Sequence, residues 1–231
     1  MSGANSTAWL LVLSNSFFLI PSIKAKLLNR HTRSVLYFLM IFASSFHHSC
    51  IGGINCVLPA NFARKLDFFF AQLLIPVTAL YLIKFPQRLA FIERYIIWSF
   101  MTALVMVEFF LNEPFWMQLV VVGLSVLFLV IYWSIYGCYA QNTLSRETGD
   151  ASCGKGCAFP KYDWRNLGLG LALSAMASTL FATQERWPGG YDYVHAVWHT
   201  LAALGQYYVL ASRDAAPAWA AMDSKIRHKI K

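Results

Sequence analysis

Phe115–Tyr136 reads FWMQLVVVGLSVLFLVIYWSIY and contains no charged residue. A helix needs about 20 mostly apolar residues to cross the hydrocarbon core of a bilayer, and this run is long enough to do so once. Comparable runs flank it: roughly Thr7–Ile23, Ser34–Ile51, Leu66–Ile83 and Leu89–Val107 before it, Leu167–Phe181 and Tyr193–Leu210 after it. Over all 231 residues the chain is 58% hydrophobic and only 13% charged, where a soluble domain carries about 25% charged residues. The expected fold is therefore all-α: an integral membrane bundle of seven transmembrane helices over residues 1–212, followed by a basic cytoplasmic tail over 213–231. Neither a soluble domain nor a low-complexity segment nor an internal repeat is visible. Lys24 and Lys26 follow the first apolar run and do not precede it, so a cleavable signal peptide is not expected.

Lysine and arginine set the direction of the helices. With the N-terminus outside, sixteen of the nineteen basic residues fall on the cytoplasmic side, and only Arg64, Lys65 and Arg186 on the outer side. Basic residues concentrate in cytoplasmic loops, so this asymmetry supports an odd number of spans and a cytoplasmic C-terminus. The net charge of +8 then reports topology and anionic inner-leaflet lipid, and a nucleic-acid partner is not expected. Asn5-Ser6-Thr7 is a glycosylation sequon that reads as too close to the bilayer for modification. Pro21 and Pro76 should kink their helices or end a helical segment. Gly168, Gly170, Ala172, Ala175 and Ala177 predict close helix packing of the sixth span.

Ionisable residues inside membrane segments are costly and usually face the bundle interior. His195 and His199 stand four apart at the start of the last span, which stacks their imidazoles on one helical face. His48 closes the second span and Asp67 opens the third. The direction set by lysine and arginine places all four near the outer leaflet, at similar depth. Three histidines can hold a zinc ion and leave a fourth position for water. Asp67 would serve as general base for that water or would orient a ligating imidazole. Ser44, four residues before His48, points inward from the same face. His47 lies about 100° around the helix from His48 and is expected to face elsewhere. Other readings stay open here. Interfacial histidines often bond backbone or water, Asp67 suits a helix N-terminus, and paired histidines can ligate haem. Retinal is not expected, because the last span contains no lysine.

At these residues the sequence resembles the transmembrane protein 8 and myomaker family, within the wider group that includes alkaline ceramidases, Per1-like proteins and the progestin and adipoQ receptors. Ser44-Ser45-Phe46-His47-His48-Ser49-Cys50 looks like that family's serine-to-histidine stretch, and Tyr191-Asp192-Tyr193-Val194-His195-Ala196-Val197-Trp198-His199 like its aromatic-rich HxxxH. The resemblance implies zinc ligands at His48, His195 and His199, and an acidic position at Asp67. Ile51 stands where the family often has Asp, the chain begins without the long extracellular region of larger members, and the tail lacks the cysteines of vertebrate myomakers.

Cys50 and Cys56 fall on the outer side, where a disulfide can form; the sequence leaves open whether they pair, and a bond would pin the loop beside His48. Cys138, Cys153 and Cys157 fall on the cytoplasmic side, where palmitoylation is one use. In the tail, Trp219, Met222, Ile226 and Ile230 follow helical spacing among Lys225, Arg227, Lys229 and Lys231, the pattern of a short amphipathic helix on the inner membrane surface. Two functions compete. The first is a myomaker-like plasma-membrane protein (Golgi being a second location) that promotes cell–cell fusion by binding lipid and remodelling the membrane. The second is a zinc-dependent lipid hydrolase of ceramidase or GPI-lipid type, with Asp67 and Ser44 as catalytic residues. A seven-helix receptor stands third. Membrane lipids are the expected partners, with a second copy of the chain and a fusion partner protein as further candidates.

Overall fold

The computed structural model describes residues 6–82, 162–187 and 190–213, together with isolated helical positions between 95 and 135. The chain divides into two compact units, Met1–Leu74 with Tyr162–Lys231, and Ile75–Lys161. The first unit carries the candidate site and is built entirely of helices among the described residues. These are α1 (Ser6–Ser14), a 3₁₀ turn (Asn15–Phe18), α2 (Leu19–Leu27), α3 (His31–Ile51), α4 (Ala60–Leu82, whose last turns belong to the second unit), α5 (Trp164–Thr183) and α6 (Tyr191–Ala211). The expected spans Leu89–Val107 and Phe115–Tyr136 lie largely outside the described residues, as do Cys138, Cys153, Cys157 and residues 214–231 of the tail.

Among the described residues four helical stretches are long and apolar enough to cross a membrane: Thr7–Leu27, His31–Ile51, Ala60–Leu82 and Trp164–Thr183. The chain is thus an all-α protein with the character of a multi-pass membrane protein. Helix α6 is equally long but falls outside that group, since polar side chains interrupt its first turns. Exposed Trp9, Leu13, Ile23, Val35, Phe38 and Leu171 give the outside of these helices an apolar surface, as a membrane-spanning helix requires.

Proline acts differently at its two positions. Pro21 is the third residue of α2, in a first turn where its missing N–H forfeits no helical bond. The 3₁₀ turn Asn15–Phe18 breaks the first apolar run just upstream of it. Pro76, by contrast, lies inside α4 and does not end it.

Buried positions on α3 recur at helical spacing, from Arg33 through Leu36, Tyr37, Met40, Ala43 and Ser44 to His47 and His48. This stripe packs against α1, α2 and α6. Tyr37, fully buried, donates to Gln206 Oε1 of α6 at 2.9 Å. Helices α5 and α6 approach through glycine. A Cβ at Gly205 would sit 2.6 Å from Ser174 Oγ and 3.1 Å from its backbone nitrogen, and one at Gly170 would sit 2.8 Å from the backbone nitrogen of Val209. Only part of the small-residue stripe expected on this helix takes part. Gly170 and Ala177 are buried with Leu167, whereas Gly168, Ala172 and Ala175 are exposed, because a helix presents one face to a neighbour and residues 168, 172 and 175 lie on another. The Asp163 carboxylate caps α5 through the backbone N–H groups of Arg165 and Asn166, and its own N–H donates to the Ser212 carbonyl at 3.0 Å, tying the start of α5 to the end of α6.

Candidate metal centre

The C-terminal end of α3 and the N-terminal ends of α4 and α6 meet at one end of the first unit. His48, His195 and His199 come together there, each contributing one ring nitrogen, and these nitrogens lie within 4.8 Å of one another. Their ring centroids are separated by 4.8 Å (His48–His195), 5.2 Å (His48–His199) and 4.7 Å (His195–His199). All three side chains are buried, His199 completely. The HxxxH spacing puts two rings on one face of α6, and the packing of α3 on α6 adds the third.

Hydrogen bonding shows what the cluster lacks. Buried polar atoms are nearly always paired, yet His48 Nδ1 and Nε2 and His195 Nε2 have no hydrogen-bond partner. The other nitrogen of each α6 ring is engaged: His195 Nδ1 meets Gln184 Oε1 at 2.6 Å, and His199 Nδ1 meets Ser14 Oγ at 2.7 Å. Unpaired imidazole nitrogens converging on one point fit a metal ion. Tetrahedral zinc with Zn–N bonds of about 2.0–2.1 Å sets its ligands roughly 3.3 Å apart, so a small inward rotation of the rings closes the site. Histidine nitrogens also suit copper, iron and nickel, and the donor set alone does not choose among them.

Two further groups face the triad. The Asp67 carboxylate lies 3.9 Å from His48 Nε2, beyond hydrogen-bonding distance, and its Oδ1 is buried without a partner. The Ser44 hydroxyl lies 3.4 Å from His199 Nε2. His47, expected to face away, is buried as well, at 8% exposure. The buried stripe of α3 is wide enough to include both histidines. The His47 ring, with its centroid 5.1 Å from that of His48, stands outside the triad but not outside the bundle. Aromatic rings wall the site: Tyr191 stacks on His195 with centroids 5.1 Å apart, and Trp198 lies 4.7 Å from both α6 histidines.

Cys50 and Cys56 form a disulfide that closes the turn after α3. Inside that turn Ser49 Oγ donates to the Asn55 carbonyl at 2.8 Å, and Gly53 adopts a positive φ of 69°. Nearby, Thr7 of the sequon donates to the Asp192 carboxylate in the first turn of α6. An apolar groove of about 460 Å³ runs between α1 and α6, lined by Leu10, Leu13, Phe17, Tyr193 and Val197, with Ser14 at its base. Ser14 and Gln184 were not legible as site residues, since isolated hydroxyls and amides carry no motif. A serine or glutamine near the depth of the histidines is the only hint available.

The chain belongs to the family described as "Protein of unknown function (DUF3522)", which matches residues 5–200. No curated protein matches it at a significant level. The matched stretch includes every residue of the triad, together with Ser14, Ser44, Asp67 and Gln184.

Proposed function

We propose that this chain is a multi-pass membrane hydrolase that binds zinc through His48, His195 and His199 and cleaves an amide or ester linkage of a membrane lipid. The observation that supports it is the composition of the cluster: three converging histidine nitrogens with a carboxylate and a hydroxyl beside them. Structural zinc sites are closed by four protein ligands, whereas catalytic ones keep an open position. No fourth histidine or cysteine joins this group among the described residues. Zinc, when bound, polarises the carbonyl and acidifies the attacking water. Asp67 would act as the general base, and Ser44 would orient its carboxylate. The groove between α1 and α6, with Ser14 at its base and in contact with His199, suits the acyl chain of such a substrate.

A second reading, myomaker-like promotion of cell–cell fusion, draws on the resemblance of Ser44–Cys50 and Tyr191–His199 to the corresponding stretches of that family. In it the zinc clamps α3 to α6 and does no chemistry. Asp67→Asn separates the two. In a hydrolase it lowers lipid cleavage by about 10²–10⁴-fold while most of the zinc stays bound. In a clamp it spares fusion, which His48→Ala abolishes. Full hydrolytic activity in the Asp67→Asn protein would count against the catalytic reading.

Seven spans, an outer N-terminus, a plasma-membrane location and partners such as a second copy of the chain belong to the same proposal. The Cys50–Cys56 disulfide supports an outer position for this end of the bundle, because disulfides persist in oxidising compartments. A C-terminal tag should be reached by antibody only after permeabilisation, and an N-terminal tag on intact cells. Detection of both on one side would overturn the topology.

A further inference from the structure

The histidines of α6 each use Nδ1 for a hydrogen bond, and the chemistry of the two partners decides where the ring protons sit. Ser14 Oγ lies 2.7 Å from the Leu11 carbonyl and 2.7 Å from His199 Nδ1. A hydroxyl has one proton. That proton goes to the carbonyl, which has none to offer, so toward His199 the serine oxygen accepts and Nδ1 carries the ring proton. Gln184 Oε1, 2.6 Å from His195 Nδ1, is an amide oxygen and only accepts, so His195 Nδ1 is protonated as well. Both rings, when neutral, are left with a lone pair on Nε2. His195 Nε2 is buried without a partner, and His199 Nε2 has only the long 3.4 Å approach of Ser44.

We propose that Ser14 and Gln184 are the positioning residues of the metal centre, holding His199 and His195 in the tautomer and orientation that turn Nε2 toward the ion. This rests on the metal-binding reading of the triad. It brings two further parts of the fold into the site. Ser14 is the last residue of α1, and its bond back to Leu11 sits where the α-helix gives way to the 3₁₀ turn. Gln184 opens the 3₁₀ turn that follows α5. An outer partner on the second nitrogen fixes ring orientation and raises ligand basicity, and its loss typically costs about 10–100-fold in metal affinity.

The test uses the full-length protein in lipid nanodiscs, with zinc affinity measured by competition with a chelator and histidine tautomers read from ¹⁵N shifts. Ser14→Ala and Gln184→Leu should each weaken zinc binding by about 10–100-fold. Ser14→Thr keeps the hydroxyl acceptor and should restore binding. Gln184→Glu, which can only accept, should bind zinc at least as tightly as the parent, whereas Gln184→Lys, which can only donate, should lose it. The zinc-free parent should show His195 and His199 protonated at Nδ1, and Ser14→Ala should alter the His199 signal alone. Parent affinity in folded Ser14→Ala and Gln184→Leu proteins would overturn the proposal while leaving the triad intact. A parent that binds no metal would overturn the triad and the proposal together. Should Ser14→Ala fail to fold, a parent His199 protonated at Nε2 overturns the assignment of Ser14.

Discussion

The two ends of α6 are packed by opposite means. At its start, His195 and His199 face His48 across ring-centroid distances near 5 Å, and both nitrogens of His48 and Nε2 of His195 find no partner in the protein. Further along, Gly205 and Val209 press against Gly170 and Ser174 of α5 so closely that a single added carbon would meet backbone atoms. One end has slack and unmet chemical demand. The other has no slack and no chemistry. A bundle anchored by contact at one end can present an incompletely satisfied polar cluster at the other without coming apart. That division is what a binding centre requires, because a site that satisfied itself would have nothing left to offer a ligand.

The comparison breaks most readily at the glycine end. Gly205→Leu puts a Cβ 2.6 Å from Ser174 Oγ and 3.1 Å from its backbone nitrogen, and backbone cannot rotate away. Overpacking of this kind costs about 1–3 kcal/mol, and more where backbone is struck. We expect the upper end of that range, with α5 forced off α6 and the folded fraction sharply reduced in size-exclusion profiles. An unchanged melting temperature would show that contact at Gly205 does not hold the pair.

The histidine end should respond to metal and not to volume. Replacing His195 and His199 by Ala should abolish zinc binding and lower the melting temperature to that of chelator-treated parent. At a free zinc concentration of 100 times Kd the stabilisation removed is about 2.7 kcal/mol. A chelator should leave the variant unaffected. If the variant and the parent respond alike to the chelator, the cluster is not the metal's site.

The smallest effect is expected just beyond His48. The Cys50–Cys56 disulfide closes a loop with a sequence separation of only 6, and on loop-closure grounds so short a loop contributes about 2 kcal/mol. Cys56→Ser should lower stability by roughly that amount, and reductant should lower the stability of the parent by a similar amount. A loss of zinc affinity in the same variant would show that the turn also positions His48.

Much of this was readable in advance, and for a physical reason. Hydrophobicity, helical periodicity and charge asymmetry are properties of a segment alone. They placed the helical stretches Thr7–Leu27, His31–Ile51, Trp164–Thr183 and Tyr191–Ala211 to within about four residues at each end, whereas Ala60–Leu82 begins six residues before the expected Leu66. The i, i+4 spacing of His195 and His199 fixes their shared face before any tertiary contact forms. Matching the depths of span ends was enough to nominate His48, Ser44 and Asp67 as neighbours.

Other features depend on which surface a helix turns to its partner, and no local signal encodes that. His47 and His48 differ by one position, and only the packing of α3 shows that both are buried and that His48 alone joins the triad. Gly168 and Gly170 are equivalent as letters, yet α6 covers Gly170 and leaves Gly168 open. Gly205 carries no local signal, because its role exists only against Gly170 and Ser174. Ser14 stands 185 residues from His199, and nothing in a serine announces a distant imidazole. Sequence by itself determined that these helices form, that all but α6 are apolar enough for a membrane, and that histidines gather at one end. The tertiary structure decided which nitrogens are left unpaired and which hydroxyl and amide hold the rings, because hydrogen bonds and close contacts are set by distances between segments and by nothing within them.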